Sequence, residues 1–216
     1  MKAFIFDLNG TMINDMEYHL DGWHNMLNKL GANMTREAVR GHMYGKNEEL
    51  LMRIFGKDRF TLPQMLEIAH EKEVLYQEAF RPHLELIAGL PAFLRQATDT
   101  GIPMAIGSAA NRFNINFVLD NLQLHDYFNA VVSAEDVATS KPNPEVFLKC
   151  AAAIHAAPAD CIVFEDAPKG VEAALNAGMQ AVVLTTMHTR DEFAAYPNIL
   201  AFVEDYTDPV LQQLFA

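Results

Sequence analysis

The sequence predicts an α/β protein with a doubly wound, Rossmann-like parallel-sheet core and a small all-helical cap inserted after the first strand. Residues 2–7 form a short apolar run that ends before the turn residues Asn9 and Gly10, as a buried strand does. The next stretch, up to Pro82, has helical periodicity, and beyond it apolar runs alternate with helical segments. We therefore expect two domains, a core of residues 1–14 and 83–216 and a cap of residues 15–82.

The cap is expected to consist of helices around a small core of its own. Apolar residues recur at three- and four-residue steps over residues 16–30, which indicates an amphipathic helix. A second helix is expected over residues 62–80. Residues 35–55 are also helix-like, with interruptions at Gly41 and Gly45.

Beyond the cap, the alternation of helices and strands indicates βα units and hence a parallel sheet. The chain of 216 residues, 50% of them hydrophobic, is long enough for one sizeable core with a satellite domain. The predicted elements are helix 90–100, strand 103–107, helix 113–122, strand 130–133, helix 144–155, strand 161–164, helix 169–177 and strand 180–184.

The charge balance limits the kinds of partner. There are 28 acidic and 16 basic residues, a net charge of −12, which argues against binding to nucleic acid or to an anionic membrane. Neither a signal peptide nor a membrane span is indicated near the N-terminus, so we expect a cytoplasmic protein, with a monomer favoured. Cys150 and Cys161 are too few for a disulfide framework, and we expect buried free thiols.

Polar residues follow several predicted strands, where ligands bind in such sheets. They are Asp7, Ser108, Lys141 and the pair Glu165-Asp166. A carboxylate nucleophile, a hydroxyl, a cation and a metal-binding acid pair are the groups that phosphoryl transfer requires.

The turn residues around these positions suit an anion. Gly10 permits a tight turn beneath a phosphate. Ser108, together with the backbone amides of Ala109 and Ala110, can form an anion-binding nest, and Asn111 can add a further donor.

Four segments resemble, in order, the motifs of the haloacid dehalogenase superfamily, in its phosphatase and β-phosphoglucomutase-like branch with a helical cap. They are Phe-Ile-Phe-Asp-Leu-Asn-Gly-Thr at 4–11, Ile-Gly-Ser at 106–108, Lys-Pro at 141–142 and Phe-Glu-Asp-Ala-Pro-Lys-Gly at 164–170. The resemblance covers the whole chain. It implies that Asp7 forms an aspartyl-phosphate, while Ser108 and Lys141 bind and neutralise the transferring group.

The resemblance also implies a magnesium ion. Asp7, the backbone carbonyl of Asn9, and Asp166 would hold Mg²⁺. For Glu165 three roles are open: direct ligation, ligation through water, or positioning of Lys141.

Asn9 departs from the pattern of the family. Phosphatase and mutase members have an aspartate there, which acts as general acid and then general base, and an amide cannot exchange a proton near neutral pH. The chain is therefore a natural enzyme with another acid, an inactivated or engineered variant, or a binding protein. Asp15, Glu17 and His19, at the start of the first cap helix, are candidates for a replacement acid.

The cap is expected to determine the substrate. His19 and Lys72 match positions where relatives often carry histidine and lysine. Lys46 lies in a segment similar to the loop that presents an arginine in sugar-phosphate mutases, but here Glu48 takes the place of that arginine. Lys46 or Arg53 could substitute for it.

The resulting hypothesis is a Mg²⁺-dependent phosphatase that acts on a small phosphorylated metabolite through Asp7. Two alternatives are open. One is a β-phosphoglucomutase-like sugar-phosphate isomerase. The other is a catalytically impaired protein that binds phosphate or a sugar phosphate, which the amide at Asn9 would explain.

Overall fold

The computed structural model describes residues 2–216, and its core is a six-stranded parallel sheet. The strands are β1 (Ala3–Phe6), β2 (Met104–Gly107), β3 (Ala130–Val132), β4 (Cys161–Glu165), β5 (Gln180–Leu184) and β6 (Ile199–Val203). Their order across the sheet is β3-β2-β1-β4-β5-β6. The predicted doubly wound α/β core is confirmed.

Helices connect the strands and also form the cap. The α-helices are α1 (Met16–Lys29), α2 (Arg36–Arg40), α3 (Asn47–Phe55), α4 (Leu62–Phe80), α5 (Leu90–Asp99), α6 (Arg112–Leu122), α7 (Glu145–Ala153) and α8 (Pro168–Asn176). Short 3₁₀ segments span Arg81–His83, His125–Tyr127, Ala134–Asp136, Pro158–Asp160, Arg190–Phe193 and Pro209–Phe215. Within residues 2–216, no helix combines the length and hydropathy that a membrane crossing needs.

The central strand β1 is buried on both faces, which explains why its sequence is a continuous apolar run. Ala3 and Ile5 belong to the hydrophobic cluster on one face of the sheet. Phe4 and Phe6 point to the other face, where the ring of Phe6 stacks on that of Phe164 with centroids 4.7 Å apart. The strand is thus fixed from both sides.

The chain reverses its direction of winding at β1. Phe6 is in register with Ile106 of β2 on one side and with Phe164 of β4 on the other. Such a switch point leaves a crevice beyond the carboxyl ends of the strands, where ligands bind in open α/β sheets.

The strand β6 was not predicted. It pairs in parallel with β5 at the edge of the sheet, and Ile199 to Phe202 are only partly buried or exposed. An edge strand of this kind needs neither a fully apolar run nor strict alternation, so its sequence carries a weak signal.

Contacts divide the described chain into two units: residues up to Asn14 with Glu85–Ala216, and Asp15–Leu84. The second boundary lies two residues beyond the expected one. The smaller unit is helical and has its own core, in which Trp23 and Leu27 of α1 belong to the same buried cluster as Leu51 of α3.

Two glycines of the core allow a test of backbone constraint. Gly89 and Gly101 both have positive φ, at 80° and 70°. A Cβ on Gly89 would lie 2.5 Å from the carbonyl carbon of Tyr206, whereas a Cβ on Gly101 would meet nothing within 4 Å. We expect Gly101→Ala to cost about 1–2 kcal/mol from backbone conformation alone. Gly89→Ala should cost roughly 1–3 kcal/mol more from overpacking, as measured by denaturant unfolding. Equal losses would contradict the steric argument.

Candidate functional site

The predicted site residues of the core follow adjacent strands. Asp7 comes directly after β1, and its backbone N–H donates to the carbonyl of Phe164 in β4 at 2.9 Å. Ser108 comes directly after β2, and its N–H donates to Val132 at 3.0 Å. Asp166 follows the last residue of β4. The sheet therefore fixes the backbone positions from which these three side chains project.

Lys141 joins two carboxylates in this crevice. Its Nζ donates to Oδ1 of Asp7 at 2.7 Å and to Oε1 of Glu165 at 2.7 Å. All three side chains are buried, and the ring of Phe147 lies 4.6 Å from Nζ. A buried ammonium requires such charged partners, because an unpaired charge in the interior is costly.

Both carboxylate oxygens of Glu165 accept hydrogen bonds. Besides the Oε1 contact to Lys141, Oε2 accepts hydrogen bonds from the backbone N–H groups of Asp166 and Ala167, both at 2.9 Å. A Cβ on Gly170 would lie 1.8 Å from Oε1, so the carboxylate occupies space that only glycine leaves open. These contacts favour the positioning of Lys141 among the three roles.

The charges in this bridge influence one another. Burial raises the pKa of Asp7 to about 6, although Lys141 opposes that rise. Burial alone would lower the pKa of Lys141, but Asp7 and Glu165 outweigh it and hold that pKa above its ordinary value. Lys141 is therefore a cation at neutral pH, in contact with the carboxyl groups of Asp7 and Glu165.

The loop after β2 has the predicted polar turn. The N–H of Ala110 donates to Oγ of Ser108 at 3.2 Å, and the hydroxyl of Ser108 also hydrogen-bonds Asp7 and opposes the rise in its pKa. The side-chain oxygen of Asn111 caps α6 by accepting from the N–H of Asn114 at 2.9 Å. Asn111 therefore has a structural task here. Ala109 stays a predicted backbone donor.

The turn after Asp7 needs its glycine. Gly10 has φ of 72°, a region that glycine occupies without steric cost. Asn9 pairs with Ile13 in an isolated bridge, and Oγ1 of Thr11 lies 3.5 Å from Oδ1 of Asp166. This turn therefore links the ends of β1 and β4.

Two further residues contact this turn that were not predicted. The hydroxyl of Thr186, after β5, donates to the carbonyl of Gly10, and that of Tyr206, after β6, donates to the carbonyl of Thr11. Only the position of Thr186 just past a predicted strand could have indicated it.

The core site suits a divalent cation. Asp7, Glu165 and Asp166 are 7%, 2% and 3% exposed, and Lys141 is the cation that contacts two of these three carboxylates. Among the described residues, no three or more His, Cys, Asp or Glu side chains lie close enough together to bind a metal ion by themselves. Mg²⁺ does not need three such side chains, because it commonly binds one or two carboxylates and completes its coordination shell with other oxygens and water.

A second polar cluster is buried inside the cap. Nζ of Lys72 lies 2.6 Å from Nδ1 of His19 and donates to Oε2 of Glu73 at 2.9 Å. Nε2 of His19 lies 3.2 Å from Oδ2 of Asp15, which also accepts from the hydroxyl of Tyr76. Burial lowers the pKa of Lys72, against the opposing effect of Glu73.

This cluster constrains the histidine. With Lys72 as an ammonium, which has no acceptor, Nδ1 of His19 must accept, and Nε2–H donates to Asp15. Lys72 is 1% exposed, so it is an internal group of the cap.

The other two cap cations that the sequence singled out, Lys46 and Arg53, have different surroundings. Lys46 precedes α3, and its backbone N–H donates to Oε2 of Glu49 at 3.0 Å. Arg53 donates to the carbonyls of His42 and Tyr44, which ties down the loop before α3. Arg53 is thus occupied by backbone carbonyls, as expected of a structural residue.

Comparisons with known proteins agree with one another over most of the chain. The model of the haloacid dehalogenase-like hydrolase family matches residues 4–184. A β-phosphoglucomutase of Bacillus subtilis is 33% identical over 84% of this chain and 82% of its own. The fructose-1-phosphate phosphatase YqaB of Escherichia coli is 33% identical, over 83% and 94%. A crystal structure of β-phosphoglucomutase from Clostridium difficile superposes with a TM-score of 0.83 at 25% identity, covering 100% of this chain and 97% of that one.

The bridge predicts the effect of removing its cation. Lys141→Met leaves Asp7 and Glu165 buried without their shared partner, which should cost about 3–5 kcal/mol in the free energy of unfolding. Lys169→Met is a matched control, because Lys169 pairs with Glu172 at the surface, with side chains 48% and 31% exposed. We expect less than about 1 kcal/mol there. Denaturant unfolding measures both, and similar losses would contradict the importance of the bridge.

Proposed function

The chain belongs to the haloacid dehalogenase-like hydrolases, and on that premise we propose that it is a Mg²⁺-dependent phosphatase of small phosphorylated metabolites, acting through Asp7. The observation that carries the proposal is the buried contact of Lys141 with Asp7 and Glu165 at the switch point of the sheet. It presents a carboxylate nucleophile beside a fixed cation.

The reaction begins with charge neutralisation. A phosphate dianion is repelled by Asp7 unless Lys141, the Ser108 hydroxyl and backbone amides offset its charge in a water-poor crevice. Bound to Asp7, Asp166 and the Asn9 carbonyl, Mg²⁺ would supply further positive charge to the phosphoryl oxygens.

Asp7 then attacks phosphorus, and the bond to the leaving oxygen breaks. The products of this step are an aspartyl-phosphate and the released alcohol, whose oxygen takes up a proton. Water next attacks the aspartyl-phosphate, which returns Asp7 and inorganic phosphate. Glu165 takes part indirectly, by keeping Lys141 beside Asp7.

Both steps include a proton transfer that Asn9 cannot perform. An amide neither gives a proton to the leaving oxygen nor takes one from the attacking water near neutral pH. We propose that the acidity of the leaving group governs the rate of the first step, so that acyl and aryl phosphates form the aspartyl-phosphate faster than sugar phosphates do.

The relatives support a proposal for the class of substrate. Those named above are a sugar-phosphate mutase and a sugar-phosphate phosphatase, so we propose a sugar phosphate or a similar metabolite. We further propose that His19 and Lys46 of the cap bind the part of the substrate that is not transferred. Lys72, expected from the sequence to bind it too, is buried, and we propose instead that its hydrogen bond to Nδ1 holds the His19 ring in one orientation.

The named mutase relative keeps isomerase activity as a second candidate. A mutase returns the phosphoryl group to another hydroxyl of the sugar, so its product is an isomer and no inorganic phosphate accumulates. Measuring both products from β-glucose 1-phosphate separates the two activities.

We predict that turnover depends on Mg²⁺ through Asp166. Phosphate release from a panel of sugar, acyl and aryl phosphates should stop with EDTA and return with excess Mg²⁺. Asp166→Asn should raise the Mg²⁺ concentration needed for half-maximal activity by about 10-fold or more, since it removes a charged ligand. Asp7→Ala is the blank. Full activity of the parent protein in EDTA would refute the metal requirement.

We predict that Asn9→Asp restores the missing proton transfer. General acid–base catalysis contributes about 10²- to 10⁴-fold, so kcat/KM on the best sugar phosphate, which reports formation of the aspartyl-phosphate, should rise by about 10²-fold. The gain in kcat/KM on an aryl phosphate should be smaller, because its leaving group needs no proton, while the Mg²⁺ affinity should change little. An unchanged kcat/KM on both substrates would show that another group already transfers the proton.

A further inference from the structure

Several backbone carbonyls in the turn of residues 8–12 accept hydrogen bonds. The carbonyl of Leu8 accepts from the N–H of Met12 at 2.8 Å. That of Gly10 accepts from the hydroxyl of Thr186 at 2.6 Å, and that of Thr11 from the hydroxyl of Tyr206 at 3.1 Å. Two of these donors are side chains from distant parts of the chain.

Thr186 and Tyr206 both lie just beyond the ends of strands of the sheet. Thr186 lies two residues beyond β5, and the preceding Thr185 is tied to β6 by its N–H, which donates to Val203 at 2.9 Å. Tyr206 is buried, its N–H donates to Ala88 at 2.9 Å, and its ring packs against that of Phe93 with centroids 5.5 Å apart. The hydroxyls are therefore presented by anchored backbone.

These hydrogen bonds also affect Asn9, which lies between the bonded carbonyls of Leu8 and Gly10. A peptide unit is planar, so a bonded carbonyl fixes the orientation of its whole plane. The plane that contains the Leu8 carbonyl precedes Asn9, and the plane that contains the Gly10 carbonyl follows the plane of the Asn9 carbonyl. With both neighbours fixed, the direction of the Asn9 carbonyl is restricted as well.

We propose that Thr186 is a positioning residue, whose hydroxyl orients the Asn9 carbonyl toward Mg²⁺ by holding the carbonyl of Gly10. This inference rests on the proposed function, because it assigns the Asn9 carbonyl to the metal. Thr186 touches neither metal nor substrate in this role. Residues that hydrogen-bond a metal ligand directly commonly contribute 10- to 100-fold to metal affinity, and for Thr186, which holds the adjacent peptide unit, we expect the lower end of that range.

A purely structural role would have a different signature. Loss of one hydroxyl contact lowers the melting temperature, whatever the contact holds. Thr185 supplies the comparison, because its hydroxyl also donates to a backbone carbonyl, that of Val203 at 3.3 Å, but at the edge of the sheet. Thr→Val at the two positions removes the same atom and keeps the same shape.

The test is a calorimetric titration of the substrate-free protein with MgCl₂ alone. We expect Thr186→Val to weaken Mg²⁺ binding by about 10-fold. Thr186→Ser, which restores the hydroxyl, should bind within about threefold of the parent. Thr185→Val should bind like the parent. Melting temperatures of all four proteins show whether each variant is folded.

Two results would overturn the proposal: Mg²⁺ affinity of Thr186→Val equal to that of the parent, or an equal loss in Thr185→Val. Failure of the proposed function looks different. In that case the parent itself binds no Mg²⁺, and Asp166→Asn changes nothing, whereas a failure of the positioning role alone leaves metal binding by the parent intact.

Discussion

The architecture of the site depends on one buried cation. Lys141 lies between Asp7 and Glu165, and removal from water of an ammonium and two carboxylates is tolerated only when each is paired. This requirement fixes the loop that carries Lys141 against the ends of β1 and β4. The missing side chain of Gly170 leaves the space in which Glu165 lies. The geometry on which the proposed catalysis relies is thus also a condition of folding.

The sequence could predict the core site because parallel strands are marked by where their apolar runs stop. Asp7, Ser108 and Glu165 each come at the end of such a run, and pairing of β1 with β2 and β4 brings those ends together. The strand β6 escaped prediction, since a half-exposed edge strand is held by its neighbour more than by its own pattern.

Other features depend on contacts that no local pattern encodes. The hydroxyls of Thr186 and Tyr206 reach the turn after Asp7 through hydrogen bonds that span 176 and 195 residues. Only the position of Thr186 just past a predicted strand gives a sign of this, and nothing near Tyr206 does. The role of Glu165 was open for the same reason: the sequence gives a carboxylate, and only its hydrogen bonds show that both oxygens are engaged. Lys72 is another example, since a lysine on a polar helix gives no sign of complete burial.

The surroundings of Asp7 bear on whether the protein is still an enzyme despite the amide at Asn9. A protein that merely binds phosphate has no use for a buried carboxylate beside its ligand, because the two anions repel each other. Burial raises the pKa of Asp7, so retaining it as a carboxylate costs free energy that a neutral residue would avoid. Lys141 offsets part of that cost, whereas the nearby Glu165 adds to it. The presence of so costly a carboxylate, together with the lysine that holds it, therefore supports the proposed attack on phosphorus over mere binding of phosphate.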